Sequence, residues 1–132
     1  MQHCYLKVNN IGESMTQEKK RKEELVLEEY QKGKRDFKGI ELRLADFRGA
    51  NLEGIDFTGA DLEGCDFRDA NLEGASFKFA KLKAALFSFA DLRRADLRFA
   101  DLRDANLTGA ALEGAKLSVG NVEIGIHGVE WK

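Results

Sequence analysis

A bulky apolar residue recurs at every fifth position through most of the chain, and this period restricts the possible folds more than any other feature. The residues at these centres are Phe37, Leu42, Phe47, Leu52, Phe57, Leu62, Phe67, Leu72, Phe77, Leu82, Phe87, Leu92, Leu97, Leu102, Leu107, Leu112, Leu117 and Val122. In an α-helix of about 3.6 residues per turn, they would spread around the cylinder. In a straight strand, an odd spacing would place successive centres on opposite faces. Neither regular element keeps these side chains together.

The residues around each centre indicate a short strand followed by a corner. A small or modest apolar residue stands two positions before the centre, and a polar residue, most often Asp or Asn, lies between them. This order predicts alternation of inward and outward side chains over three residues. A charged residue and then glycine often follow, and glycine suits a corner because it reaches backbone angles that other residues resist. Repetition of strand and corner winds a solenoid with an apolar interior.

The alternation of Phe and Leu indicates the number of sides. From Phe37 to Phe87 the two residue types alternate at the centres. Three sides would place Phe over Leu in every column, whereas four sides make each column uniform. Phe37, Phe57 and Phe77 then form one column, with Phe47, Phe67 and Phe87 on the opposite side. The eighteen uninterrupted units predict about four and a half coils of an all-β solenoid.

Several units resemble the A(D/N)LXX repeat of the pentapeptide-repeat family. Residues 50–54 read ANLEG, residues 60–64 read ADLEG and residues 100–104 read ADLRD. The resemblance extends over about 90 of the 132 residues. It implies a right-handed quadrilateral β-helix, and the family is especially abundant in cyanobacteria. Most members of the family have no assigned biochemical activity.

The flanking segments predict caps, because an open solenoid end exposes unpaired strand edges and an apolar cross-section. We expect a loosely ordered leader at 1–14, a capping helix at 15–33, the β-helix at 34–124 and a C-terminal capping tail at 125–132. Ser14 and Gln17 have the spacing of a capping box, and Gly33 suits a helix C-terminus. The apolar residues expected to lie across the first coil are Leu25, Val26, Leu27 and Tyr30.

Two alternatives remain for these flanks. The charged run at 18–24 is interpreted as the solvated face of the helix, with nuclear or nucleic-acid targeting as the rival. The apolar residues of the C-terminal tail alternate from Val122 to Trp131 and could cover the last coil or form a dimer contact.

Composition restricts the function classes. A formal net charge of −2 is unlike that of a general nucleic-acid binder, which carries a basic excess. The longest apolar runs are too short to span a membrane, and residues 1–14 lack the basic and apolar regions of a secretory signal. Two cysteines make no disulfide framework, so we expect a cytoplasmic protein. We expect a monomer or a weak dimer that associates through an end or the aromatic edge defined below.

Each group that could perform chemistry has a simpler structural explanation. Cys65 occupies an inward Ala position and is expected to be a core thiol. His3 and His127 show no spacing typical of a metal site. The many Asp residues occupy a repeated outward slot and not a convergent pocket. We therefore expect no enzyme activity, catalytic residue, cofactor, metal or small-molecule substrate.

The fifth position of the unit, at the corner, is usually small, yet it holds phenylalanine in three places. Phe79 and Phe99 are separated by four units and are predicted to stack on one edge in adjacent coils. Phe89, near Leu86, is predicted to lie on the opposite corner. A basic rim is expected around the first pair: Lys78, Lys81, Lys83, Arg98 and Arg103. Exposed aromatics with a basic rim are typical of a binding edge, although the tail or another copy could also cover them.

Two functions follow from these patterns. The first is a non-enzymatic scaffold that presents a rigid, charged, four-sided surface and this edge to an unidentified protein partner. The second, implied by the quinolone-resistance branch of the family, is a DNA-mimicking inhibitor of a topoisomerase such as gyrase. Mimicry requires an acidic rod, yet the outward positions beside the centres hold fourteen acidic and eleven basic side chains, which largely cancel. The sequence favours the scaffold.

Overall fold

The computed structural model describes residues 7–8, 14–15, 20–118 and 120. Strand β1, Lys7–Val8, pairs antiparallel with β2, Ser14–Met15, and helix α1 spans Lys22–Gln31. The strand pair lies mostly within the segment that we expected to be a loosely ordered leader. The predicted C-terminal tail at 125–132, together with Val122, His3 and His127, lies outside the described residues.

Helix α1 is shorter than the predicted helix, and its capping residues differ. Ser14 pairs with Val8 in the strand pair, so the prediction of a capping box at Ser14 is wrong. The helix begins after Arg21, whose backbone N–H donates to the Glu24 side chain at 2.8 Å. At the other end Gly33 has a φ of 104°, and its N–H donates to the Tyr30 carbonyl at 2.9 Å. Gly33 therefore occupies the predicted C-terminal position, where a left-handed residue lets the last carbonyls find donors.

After α1 the chain winds into a four-sided solenoid. Parallel bridges join each outward polar residue to the residue four units later, as in Asp36 to Asp56 and Asp96 to Lys116. The Leu42 N–H donates to the Asp61 carbonyl at 2.8 Å, and the Asp61 N–H donates to the Ile40 carbonyl at 2.8 Å. At the corner between two sides, the Ala45 N–H donates to the Leu42 carbonyl at 3.1 Å, and the other corners are closed by the equivalent bond. One five-residue unit is therefore one side, and neighbouring coils hydrogen-bond to each other as in a parallel sheet.

The predicted centres form the interior. All centres from Phe37 to Leu107 are buried, Leu112 and Leu117 are partly buried, and Val122 is not among the described residues. The two Phe columns meet across the interior, with ring centroids 6.1 Å apart for Phe47 and Phe57 and 5.7 Å apart for Phe77 and Phe87. The coils consequently share one continuous apolar column.

Helix α1 packs on the first coil with part of its predicted apolar face. Val26 and Tyr30 belong to the buried core, and Leu27 packs against it. Leu25 is 46% exposed and borders the cleft beside Phe37 and Ile40, so it lies at the margin of the predicted apolar face. Val26 and Tyr30 are four residues apart and therefore lie on the same face of the helix. Leu25 is rotated away from this face, toward the outer side of the helix, because it is one residue before Val26.

Candidate functional site

The corner of each unit has a backbone conformation that turns its side chain outward. All sixteen corner positions from Gly39 to Gly114 have φ between 60° and 75°. At each corner the N–H of the fourth turn residue donates to the carbonyl of the first turn residue. The residue with positive φ is the third residue of the turn, as in a type II turn. Glycine occupies half of these positions. The others are Leu44, Asp69, Phe79, Ala84, Phe89, Arg94, Phe99 and Asp104.

Phe79 and Phe99 form a stacked pair on one corner of the solenoid. Their ring centroids are 5.0 Å apart and the ring planes differ by 12°. Phe79 is 58% exposed and Phe99 is 60% exposed. The coil spacing of a β-solenoid, about 4.8 Å, is well suited to offset stacking, so each ring restricts the other. We call this pair the aromatic edge.

The other predicted aromatic residue is not brought to the aromatic edge. Phe89 lies two units from both Phe79 and Phe99 and therefore occupies the opposite corner, where it is 66% exposed. Its ring covers Gly109 so closely that a Cβ on Gly109 would lie 2.5 Å from Cδ1. Leu86, predicted to accompany it, is only partly exposed. Phe89 therefore lies apart from the aromatic edge.

Leu44 is an exposed corner residue that the sequence reasoning missed. Its side chain is 80% exposed and lies over Gly64, where a Cβ would come within 2.6 Å of Leu44 Cδ2. The signal was present, because Leu44 is a large apolar residue at the same fifth position as the three Phe residues. Its corner is one side away from the aromatic edge.

The arginines of the predicted basic rim are paired with aspartates. The Arg98 guanidinium donates to both carboxylate oxygens of Asp96, at 3.0 and 2.8 Å. Arg103 binds Asp101 in the same way, at 2.9 and 2.7 Å. These hydrogen bonds lower the pKa of both carboxyl groups and raise the pKa of both guanidinium groups. Such fork geometry holds arginine in place and largely cancels its charge.

The same pairing recurs along the solenoid. Each pair joins the polar residue before a centre to the arginine after it. The other members are Asp46 with Arg48, Asp66 with Arg68 and Asp91 with Arg93. Arg43 instead reaches across coils to Asp61 at 2.8 Å. The columns of carboxylates are therefore interleaved with cations, which differs from the uniform charge of a DNA backbone.

The lysines near the aromatic edge remain outside this pairing. Within residues 20–118, Lys78, Lys81 and Lys83 have no carboxylate oxygen within 4.0 Å. Lys81 lies between Asp61 and Asp101 in its column, but those carboxylates are bound by Arg43 and Arg103. The lysines therefore form no ion pair among the described residues, although their charges help to lower the pKa of Asp61, Asp96 and Asp101.

Cys65 is a core residue without the properties of a nucleophile. Its thiol is fully buried and donates to the Leu42 carbonyl at 2.8 Å. Burial raises the pKa of the Cys65 thiol to about 12, so the reactive thiolate is absent at neutral pH.

The described part of the chain contains no cluster of three or more side chains suited to hold a metal ion. No helix among the described residues is long and apolar enough to cross a membrane. Two described open clefts, about 450 and 280 Å³ in volume, lie where α1 meets the first coil. Their linings include Val26, Phe37 and Leu42, which pack the helix onto the solenoid, and paired charges such as Arg43 and Asp61.

The geometry defines a class of protein: a four-sided parallel β-solenoid built from five-residue sides. The family profile described as pentapeptide repeats matches eight copies, over residues 40–78, 50–88 and 80–118. The chain belongs to the pentapeptide-repeat family. Proteins of this family form right-handed quadrilateral β-helices and are generally non-enzymatic structural or interaction proteins.

Solved structures agree with this assignment. A pentapeptide-repeat protein from the Arabidopsis thaliana thylakoid lumen is 45% identical, with a TM-score of 0.58 over 58% of this chain and 53% of its own. One from the cyanobacterium Nostoc Pcc 7120 is 31% identical, with a TM-score of 0.58 over 71% of this chain and 93% of its own. The chain thus spans about half the length of the Arabidopsis structure.

A third structure, QnrB1, is a plasmid-mediated fluoroquinolone resistance protein. It is 23% identical with a TM-score of 0.27, over 71% of this chain and 68% of its own. This likeness is too distant to support a functional argument. No curated protein matches the chain.

Proposed function

We propose that the chain is a non-enzymatic scaffold module that binds a protein partner through the aromatic edge. The observation that carries this proposal is the stacked, exposed pair of Phe79 and Phe99. Both residues hold a left-handed corner conformation, at φ 61° and 63°, that an exposed phenylalanine does not favour. Backbone strain combined with exposed aromatic area is typical of a binding site.

The proposal includes a cap at the N-terminal end of the solenoid. Among the described residues, no coil lies beneath the one that begins near Phe37, so its edge N–H and carbonyl groups need other partners. Helix α1 supplies three. The Tyr30 hydroxyl donates to the Glu53 carbonyl at 2.7 Å, the Lys22 ammonium donates to the Glu41 carbonyl at 3.3 Å, and the Glu23 carboxylate accepts from the Asp46 N–H at 3.2 Å. We therefore propose that α1 is the N-terminal cap of about four and a half coils.

A cytoplasmic location is also part of the proposal. It is supported by the free thiol of Cys65, the one cysteine among the described residues. The alternative of a DNA mimic has less support, because five aspartates along the solenoid are each bound by the arginine two residues later.

The experiment is a capture assay from lysate of the source organism, comparing the native chain with Phe79→Ser/Phe99→Ser. We expect a protein retained by the native chain and lost by the double variant. Phe89→Ser is the matched control, because it removes an equally exposed corner ring on the opposite side. Equal retention by all three folded baits would contradict a role for the aromatic edge, and a gyrase subunit retained by all three would favour the DNA mimic.

A further inference from the structure

Positive charge is concentrated around the aromatic edge. Residues 75–103 contain seven basic and three acidic side chains, a net charge of +4, although the whole chain has a net charge of −2. The bridges from Ser76 to Asp96 and from Lys81 to Asp101 place this segment in two adjacent coils. The excess of positive charge therefore lies in the two coils that carry the stacked rings and is not spread along the solenoid.

Arginine and lysine have different roles in this region. All four arginines of the segment, Arg93, Arg94, Arg98 and Arg103, are ion-paired with carboxylates of the solenoid. Lys78, Lys81 and Lys83 have no such pair among residues 20–118. The arginines are thus held by ion pairs within the solenoid, whereas the lysines are available to bind a ligand.

The three lysines lie on both sides of the aromatic edge. Lys78 immediately precedes Phe79 in the same corner, Lys81 lies on the side that follows, and Lys83 lies in the next corner. Lys81 and Lys83 are exposed, and Lys78 is partly exposed. A ligand on the two rings would consequently meet ammonium groups on both flanks.

We propose that the aromatic edge binds a short acidic peptide segment that carries an aromatic or large aliphatic side chain. This inference rests on the proposed function and names the chemistry of its partner. The apolar side chain packs on Phe79 and Phe99, and neighbouring carboxylates lie between Lys78 on one side and Lys81 and Lys83 on the other. Flexible ammonium groups suit carboxylates whose positions vary between ligands.

Two observations favour a peptide over a nucleic acid. Phe79 and Phe99 stack face to face, with ring centroids 5.0 Å apart, so no base can insert between the rings. The chain outside residues 75–103 has fourteen basic and twenty acidic side chains, and this negative charge repels a long polyanion. A short acidic segment can remain within the positive region.

The test is a selection from a random peptide display library against the full chain. We expect the enriched peptides to share net negative charge and an aromatic or large aliphatic residue. Calorimetry with one enriched peptide then compares variants. Lys78→Gln/Lys81→Gln/Lys83→Gln should weaken binding roughly tenfold or more, and added salt should weaken it further.

A matched control is Lys32→Gln/Lys34→Gln/Lys38→Gln, which changes the net charge equally but lies near α1 and the first coil. This control should retain native affinity. Each variant is first checked for native melting.

The outcomes separate this inference from the proposed function. Peptides that require Phe79 and Phe99 but lack acidic residues, and that bind the lysine variant normally, would overturn the acidic partner and leave the scaffold function intact. Peptides indifferent to Phe79→Ser/Phe99→Ser would overturn both. Tighter binding of oligothymidine than of any enriched peptide would assign the edge to nucleic acid. A dimer in sedimentation that the double Phe variant abolishes would assign it to a second copy.

Discussion

At the scale of single residues, several corner positions hold a residue other than glycine, which is the residue best suited to their left-handed conformation. A left-handed conformation costs a residue with a Cβ about 1–2 kcal/mol, and glycine avoids this cost. The chain nevertheless has large apolar side chains at four corners: Leu44, Phe79, Phe89 and Phe99. Leu44 and Phe89 recover part of the cost by covering the glycine one coil later. Phe79 and Phe99 recover part of it by stacking on each other.

The cost of the corner conformation can be measured at two sites that expose little apolar surface. Ala84 has a φ of 62°, so Ala84→Gly should raise the free energy of unfolding by about 0.5–1 kcal/mol after the entropic cost of glycine. Gly59 has a φ of 70° and open space around a Cβ, so Gly59→Ala should lower it by about 1 kcal/mol. Urea denaturation of both variants tests this; changes of the same sign would show that the corners are not strained.

At the scale of elements, α1 and the first coil depend on each other. The helix has few buried apolar residues, chiefly Val26 and Tyr30. Its contribution includes hydrogen bonds to the open edge, and the Tyr30 hydroxyl makes the shortest of the three, at 2.7 Å. Arg35 holds the same tyrosine from the other side, with its guanidinium 3.7 Å from the ring centroid and a hydrogen bond to the Tyr30 carbonyl at 3.0 Å.

Tyr30→Phe removes the hydroxyl and keeps the ring, so it isolates the capping hydrogen bond. We expect the free energy of unfolding to fall by about 1–2 kcal/mol, because the Glu53 carbonyl loses its donor in a partly buried place. Leu25→Ala is the control on the outer side of the helix and should change it by less than about 0.5 kcal/mol. Denaturant titrations of both variants provide the measurement; an effect of Tyr30→Phe no larger than the control would refute the capping role.

At the scale of the whole molecule, the repeated ion pairs make stability depend on pH. The hydrogen bond from Arg48 lowers the pKa of Asp46 to about 2. Arginine side chains likewise lower the pKa of Asp61, Asp66, Asp91, Asp96 and Asp101. A carboxyl group whose pKa is lower in the folded state contributes stability above its unfolded pKa, near 3.9, and loses it as the pH falls further.

We therefore expect the melting temperature to change little between pH 7 and 5 and to fall between about pH 4 and 2. Circular dichroism melts across this range provide the measurement. A variant with two pairs removed, Asp66→Asn/Arg68→Gln with Asp96→Asn/Arg98→Gln, should show a smaller decrease over the same interval. A native chain whose melting temperature is unchanged at pH 2 would show that the ion pairs add nothing to stability, as is common for exposed pairs.

Much of the architecture is legible in the sequence because its determinants are local. The centre, the inward small residue and the corner all lie within five residues, so their order indicates strand and corner without knowledge of the rest of the chain. The alternation of Phe47 and Leu52 then indicates four sides, and the bridges between residues four units apart agree with it. The corner rule also brings Phe79 and Phe99 together, at a centroid distance of 5.0 Å.

Other features were decided only by the tertiary structure. The start of α1 could not be predicted from Ser14 and Gln17, because Ser14 belongs to strand β2 and pairs with Val8 of strand β1. The pairing of Arg98 with Asp96 lies within one unit and is visible in the sequence, whereas the surroundings of Lys81 are not. Lys81 lies between Asp61 and Asp101 of the adjacent coils, and those carboxylates are bound by arginines. The sequence by itself determined the five-residue side and the apolar interior, which require only neighbours along the chain. The tertiary structure decided the stacking of Phe79 on Phe99 and the ion pair between Arg43 and Asp61, because each contact joins side chains in adjacent coils.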